Sequence, residues 1–320
     1  MSNWTLLLPV IIPAAAGLLM FLTPKNGRLW QNGLTLLASL GSLVVTALLF
    51  NQNLTFKTGW AGFGIDFDMR LYHFSGFIIL AAAGFTFLTA LYAAVFMKGR
   101  PYPRTFFGFL LLTSAFVTGA VLANNLILLL FFWEGLLVML FAMILTGGPK
   151  AGRTAMKALV LNGVADLCLM LGAGITVWLS GTAAMDHISL SLNTFWSGFA
   201  FVMMMTGAVA KAGSFPFHSW IPDAAEDAPL PFMAFLPAAL EKLLGIYLLA
   251  RLSLDLFDMQ PGSAMSLTVM IVGSCTLLFA VLMALVQKDY KRLLSYHAIS
   301  QVGYMVLGIG TGLPIRHWRL

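Results

Sequence analysis

Five ionisable side chains lie inside long apolar runs. Glu134 is in LLLFFWEGLLVML, Asp166 in LNGVADLCLM, Lys211 in MTGAVAKAGSF, and Glu241 and Lys242 are together in LPAALEKLLGIY. Each costs about 2.5–3.5 kcal/mol at the centre of a membrane helix. Five together cost on the order of 10 kcal/mol, comparable to the whole stability of a domain. They must therefore face one another or water. Static salt bridges are the plain alternative, but polar contacts in membranes return only about 0.6 kcal/mol each. Three acids and two lysines nearly balance, which favours a paired network, and ionisable groups inside a membrane read by default as an ion path. Burial favours the neutral amine and a nearby carboxylate favours the ammonium, so a small displacement of the carboxylate releases a proton. Glu134 opposite Lys211 would be such a switch.

The stretch after Lys211 adds a second ingredient. Gly213, Ser214 and Pro216 interrupt the helix, and backbone freed at membrane depth is tolerated where it lines a cavity or is buried in protein. His218 follows, either as a proton relay or as a hydrogen-bonded structural histidine. Lys157 either snorkels to the surface or continues the charges toward it. Glu241 and Lys242 point about 100° apart on a helix, so they serve different partners. His297 lies near basic residues and reads as interfacial.

The elements that must position these groups are apolar helices. Of 320 residues 60% are hydrophobic and 9% charged, where a soluble domain carries roughly 25% charged. The sequence predicts an all-α polytopic membrane protein. Ten segments are long enough to span: 4–23, 29–50, 71–97, 105–122, 125–146, 155–180, 196–213, 229–252, 265–287 and 292–313. Residues 55–70 alternate around glycines and predict a β-hairpin outside the membrane. The apolar N-terminus lacks a preceding Lys or Arg, so it reads as a first membrane helix rather than a signal peptide.

Loop charge sets orientation. Lys25 and Arg28, Lys98, Arg100 and Arg104, Lys150 and Arg153, and Lys288, Lys291 and Arg292 fall in alternate loops, which places those loops in the cytoplasm and the N-terminus outside. Residues 214–228 break the pattern with Asp223, Glu226 and Asp227. They read as an acidic rim that collects cations or as a loop packed on a partner subunit. The net charge of +6 is spread over short loops, which excludes a nucleic-acid face. Cys168 and Cys275 are far apart in apolar runs and read as small buried residues. No disulfide, zinc or iron–sulfur framework is indicated. The glycines of GIGTG at 308–312 read as helix-packing residues, not a nucleotide site. No cofactor or metal is expected.

FFWEG, RTAMKALVLNGVAD, VAKAGSFPFHSWIPDAAEDAP, LEKLLGIYLLAR and KRLLSYHAISQVGYMVLGIG occur in this order. Together they resemble the antiporter-like proton-translocating subunits. That family serves respiratory complex I, energy-converting membrane hydrogenases including formate hydrogenlyase, and Mrp-type sodium/proton antiporters. The resemblance runs from about 55 to 312. It implies that Glu134 and Lys211 are the family's helix-five glutamate and helix-seven lysine, and that Lys242 matches a central lysine of helix eight. Asp166 and Lys157 match helix-six positions of some members, and Glu241 beside Lys242 is closest to the hydrogenase branch.

The resemblance also implies two inverted five-helix repeats. Residues 105–252 would be the first repeat, complete, with a broken helix seven. They follow a three-helix region at 1–104. Residues 265–313 would be the first two helices of an incomplete second repeat, and 314–320 a basic tail. The helix-eleven and helix-twelve polar groups of the family would then be missing.

The expected function is proton translocation within a redox-driven complex of the NADH:quinone oxidoreductase or energy-converting hydrogenase type. The chain would carry no redox chemistry of its own. Its site residues would be Glu134, Lys211, Lys242, Glu241, Asp166, Lys157 and His218. Partners would be other membrane subunits, peripheral redox subunits, the lipid bilayer and protons. The alternatives are a Na+/H+ antiporter subunit and a membrane scaffold without a complete channel. The expected place is a bacterial or archaeal cytoplasmic membrane.

Overall fold

A computed structural model of the chain describes residues 3–24, 27–62 and 65–312. The polypeptide is mostly helix: α1 (Leu8–Met20), α2 (Arg28–Leu49), α3 (His73–Phe96), α4 (Pro103–Leu122), α5 (Leu126–Leu145), α6 (Gly152–Ser180), α7 (Phe195–Ala212), α8 (Trp220–Asp227), α9 (Leu230–Phe235), α10 (Glu241–Arg251), α11 (Ala264–Leu285) and α12 (Tyr290–Thr311). Among the described residues, eight helical segments are long and apolar enough to cross a membrane. The segment Trp4–Met20 is apolar but shorter. The tenth expected span, α12, has the length, but Ser295, His297, Ser300 and Gln301 make its first half polar. Residues 313–320, including the expected basic tail, lie outside the described residues, as do Lys25 and Asn26.

Two compact units divide the chain. The first comprises residues 1–156 and 227–240, the second 157–226 and 241–320. In the first unit, α1 packs on α4 through small residues. A Cβ on Gly17 would stand 3.1 Å from Gly108 O, and one on Gly108 would stand 3.4 Å from Gly17 O. Such close backbone approach is how membrane helices gain contact without a hydrophobic drive between them. Helix α2 turns Gln31, Thr35, Ser39, Ser42 and Thr46 inward and Leu29, Leu37, Val44 and Leu48 outward. Thr35, Ser39 and Thr46 each return their hydroxyl to a carbonyl four residues back. Those three hydroxyls are thus satisfied within the helix, as an apolar surround requires, while the Gln31 amide donates to Pro24 O at 2.8 Å.

The expected hairpin is present. Strand β1 (Leu54–Gly62) pairs antiparallel with β2 (Ile65–Leu71), with Lys57 opposite Asp68 and a bulge between Gly59 and Gly62. Lys57 bonds Asp66 at 3.0 Å on the exposed face. The rings of Phe56 and Phe67 in the hairpin and Phe132 of α5 meet edge-on in sequence, and Trp4 tilts against Phe56. Asn124 ties the hairpin to the α4–α5 turn: its backbone N–H donates to Asp68 O at 2.9 Å and its side-chain amide to Asp68 Oδ2 at 3.0 Å.

In the second unit, α11 and α12 cross through facing glycines. A Cβ on Gly273 would meet Gly303 O at 2.9 Å, and one on Gly303 would meet Gly273 O at 2.8 Å. Gly310 likewise lies on Met270, so one glycine of GIGTG packs helices as expected. Two short strands, β3 (Leu190–Ser191) and β4 (Phe257–Asp258), pair in parallel near the ends of α6 and α10.

Candidate functional site

The site grows from the end of α7. Thr194 caps the helix start, accepting from Ser197 N–H, and apolar residues carry it to Ala212. Gly213 then takes a left-handed conformation, φ +83°. Ser214 N–H donates to Val209 O and Gly213 N–H to Ala210 O, each at 2.9 Å. This pair of bonds closes a helix over a left-handed residue, which glycine adopts without a Cβ clash. Lys211 is therefore held in the last turn of a terminated helix inside an apolar surround.

Small residues bring α6 and α10 against it. A Cβ on Gly207 would lie 2.6 Å from Leu169 Cβ, and one on Gly172 2.8 Å from Ala200 O. On the other side, a Cβ on Gly245 would lie 2.6 Å from Ala212 N. The outcome is an ion pair. Lys211 Nζ stands 3.2 Å from Asp166 Oδ2, with side-chain exposures of 0% and 3%. Glu241, one turn before Gly245, is also buried, and neither carboxylate oxygen has a hydrogen-bond partner. It is within electrostatic reach of both Lys211 and Asp166. Lys242 points to the next face and is half-buried. Sequence reasoning placed Glu134 opposite Lys211; the second unit itself supplies a carboxylate, Asp166. Glu134 lies in α5 of the first unit, half-buried between Trp133 and Gly135.

The expected span at 229–252 is present as one helical segment, Leu230–Leu256, with an irregular turn inside it. Between α9 and α10 a π-turn, Leu236–Leu240, accommodates Pro237, which cannot donate to a regular ladder. Glu241 opens the helix that follows.

Residues 214–228 are not a bare acidic loop. A 3₁₀ turn, Phe217–Ser219, leads into α8, and its acids are engaged within the chain. Lys157 Nζ bonds Asp223 Oδ2 at 2.7 Å and Ser219 O at 2.8 Å. Arg292 Nε bonds Glu226 Oε1 at 2.6 Å, and its Nη2 reaches Asp223 Oδ1 at 3.3 Å. In the first unit Asp227 accepts from Thr154 Oγ1 at 2.6 Å. Cations from α6 and α12 thus neutralise Asp223 and Glu226, two of the three acids that broke the charge pattern.

His218 is half-buried, with Nδ1 enclosed and without a hydrogen-bond partner. It feels the charge of Lys157, and its ring lies 5.7 Å from that of Phe215 and 6.2 Å from that of Tyr296. Ser214 and Thr276 join the break to α11. Thr276 Oγ1 donates to Val272 O at 2.7 Å and accepts from Ser214 Oγ and from Phe215 N–H at 3.2 Å. His297 is exposed.

The second unit therefore assembles Asp166, Lys211 and Glu241 in one buried group, and Lys157 with Asp223 and Arg292 in a half-exposed one beside His218. Sequence reasoning passed over Arg292 as a partner and over Asn162 and the Ser214–Thr276 bond. Asn162 had a signal, being four residues from Asp166 in an apolar run. A buried lysine beside carboxylates can pass a proton between nitrogen and oxygen without redox chemistry. Cys168 and Cys275 are free and half-buried, not fully buried as expected. Among the described residues no three His, Cys, Asp or Glu side chains gather as a metal site requires.

Comparison with known proteins agrees with this architecture. A NAD(P)H-quinone oxidoreductase subunit 5, chloroplastic, from Ceratophyllum demersum is 31% identical over 331 aligned residues, covering 96% of this chain and 44% of that protein. A chain in the structure of the Mrp complex from Dietzia sp. DQ12-45-1b superposes with a TM-score of 0.85 at 25% identity, over 97% of this chain and 34% of that one. A chain of the membrane-bound sulfane sulfur reductase, an archaeal respiratory membrane complex, gives 0.82 at 24% identity, over 96% of this chain and 64% of that one. A chain of respiratory complex I from Thermus thermophilus gives 0.75 at 23%, over 97% and 65%. The chain spans less than half the length of the curated relative it matches. Residues 123–315, more than half of the chain, match the transmembrane family described as NADH:quinone oxidoreductase/Mrp antiporter. This multi-pass membrane chain, with its buried Lys211–Asp166 pair at a broken helix, belongs to that family.

Proposed function

We propose that the chain moves protons as an antiporter-like membrane subunit of a larger redox-driven complex. The observation that carries this reading is the enclosed Lys211–Asp166 pair, with Glu241 alongside, at the point where α7 breaks. A buried ion pair is weak evidence for stability, since its desolvation cost rivals its attraction. Its place in a membrane helix supports a role in carrying charge. In this reading Lys211 exchanges a proton with its carboxylates. Lys157 and His218 serve one side of that exchange, Lys242 leads onward, and Glu134 serves the first unit. Partner membrane subunits and peripheral redox subunits would supply the driving force. The cation-rich alternate loops support a cytoplasmic-membrane location with the N-terminus outside.

The test is proton translocation by the assembled complex in inverted membrane vesicles. Lys211→Ala is expected to abolish translocation while leaving electron transfer measurable. Unchanged coupling in that variant rejects the reading. A second reading, a Na+/H+ antiporter subunit, is favoured by the TM-score of 0.85 with the Mrp-complex chain. Transport that requires sodium, in a complex without copurifying redox subunits, selects it.

A further inference from the structure

Helices α6 and α7 meet in a steady antiparallel register. Gly172 meets Ala200, Gly207 meets Ala165 and Leu169, Asp166 pairs with Lys211, and Lys157 reaches Ser219. Between the last two contacts, α6 presents Asn162. The register sets it level with residues 213–215, where α7 has ended. The helix ladder of α7 ends here, with Val209 O and Ala210 O closed by Ser214 and Gly213, so this is the polar level of the helix pair.

Asn162 is 1% exposed. Its amide nitrogen donates to Ala158 O at 2.9 Å, while Oδ1 is enclosed and has no hydrogen-bond partner. A buried carbonyl without a donor costs about 1–3 kcal/mol. Two other side chains of the unit share the condition: His218 at Nδ1, beyond the break, and Glu241 at both oxygens, one turn from the Gly245 contact on the far side of α7. Polar atoms left open in this way are what an internal water needs, since a buried water makes two to four hydrogen bonds.

The spacing gives such a water a task. Asp166 and Lys157 are nine residues apart, about 13.5 Å along the helix axis. Proton transfer needs donor and acceptor within about 3.2 Å, or one intervening water. The two charged groups therefore cannot exchange directly. Asn162 lies about 6 Å along the axis from Asp166 on the same face, while Lys157 starts from the opposite face and brings its Nζ to Ser219 O.

We propose that Asn162 anchors a water site at the α7 break, and that this site relays protons between the Lys157–Asp223–His218 group and the Lys211–Asp166 pair. The ligand class is water carrying an excess proton. Asn162 keeps its amide throughout. Its Oδ1 accepts from a water that takes a proton on one side and gives one up on the other, so nothing is oxidised or reduced. The inference rests on the proton-handling reading above and adds a positioning residue to it.

The experiment compares Asn162→Leu, Asn162→Ser and Lys211→Ala in the assembled complex in inverted vesicles. It follows proton translocation, its slowing in deuterated water, and the amount of complex on native gels. Asn162→Leu, which fills the space and removes the acceptor, is expected to slow translocation at least tenfold with assembly unchanged. Asn162→Ser restores an oxygen and is expected to recover most of the rate with a larger deuterium effect, which a merely structural role would not move. Wild-type translocation in Asn162→Leu beside an inactive Lys211→Ala overturns the water relay alone. Wild-type translocation in Lys211→Ala overturns the underlying reading instead. If Asn162→Leu does not assemble, the smaller Asn162→Val is judged by the same criterion. Failure of both to assemble overturns the relay in favour of a purely structural amide.

Discussion

Lys211 Nζ lies 3.2 Å from Asp166 Oδ2, and neither side chain reaches solvent. The two residues are 45 positions apart, so their meeting depends on the α6–α7 register that Gly172 and Gly207 set.

Removing one member of such a pair leaves an uncompensated buried charge. Asp166→Leu or Lys211→Met alone is expected to cost about 3–5 kcal/mol. The double variant, apolar on both sides, should recover most of that loss. Unfolding midpoints in detergent should rank wild type and double variant above both singles. A double variant no more stable than the singles would show that the two charges do not compensate each other.

The left-handed turn at the end of α7 gives a second prediction. Gly213→Ala forces a Cβ into φ +83° and places it 2.5 Å from Ile221 Cδ1. The backbone part costs about 1–2 kcal/mol, and the flexible end of Ile221 can move aside. Gly213→Asn should cost less, because asparagine tolerates this conformation better. Equal midpoints for the two variants would count against backbone strain as the cause.

Arg292 offers a contrast. It holds Asp223 and Glu226, but all three side chains are about a third or more exposed. Such pairs contribute about 0–1 kcal/mol and are screened by salt. Arg292→Gln should therefore change stability little at low salt and remove much of the salt dependence of the unfolding midpoint. A loss of several kcal/mol in this variant would contradict the exposed-pair account.

At the hairpin, Asn124→Leu removes a side-chain donor to Asp68 Oδ2 and leaves a largely buried carboxylate. The expected cost is about 1–3 kcal/mol, felt locally. Protease cleavage near residues 59–62 should speed up while the transmembrane core stays protected. An unchanged cleavage rate would show that the backbone bonds alone hold the hairpin.

The helices were legible because an apolar run of membrane length has few alternatives in lipid. The hairpin at 54–71 was legible from its glycines and alternation. The π-turn before Glu241 was not, although Pro237 was its visible cause. A proline inside an apolar run signals a break without saying which break. Residues 214–228 read from sequence as an acidic loop, and the short helix Trp220–Asp227 within them carries no separate apolar run to mark it. The partners of those acids lay on α6 and α12, beyond any local pattern. The charged residues themselves stood out at once from their apolar surround. Which of them touch could not be read, since pairing depends on helix register, and register here is written in single glycines.

Those same glycines have a mechanical consequence. At Gly172, Gly207 and Gly245 the backbones of α6 and α10 lie flush against α7, with no side chain between them to yield. Residues 200–212 are thereby clamped as a stiff strut from both sides. Past Gly213 the glycine contacts end, and side-chain bonds hold the segment instead: Ser214 and Phe215 to Thr276, Ser219 and Asp223 to Lys157. Lys211 thus sits at the boundary between a backbone clamp and a side-chain one.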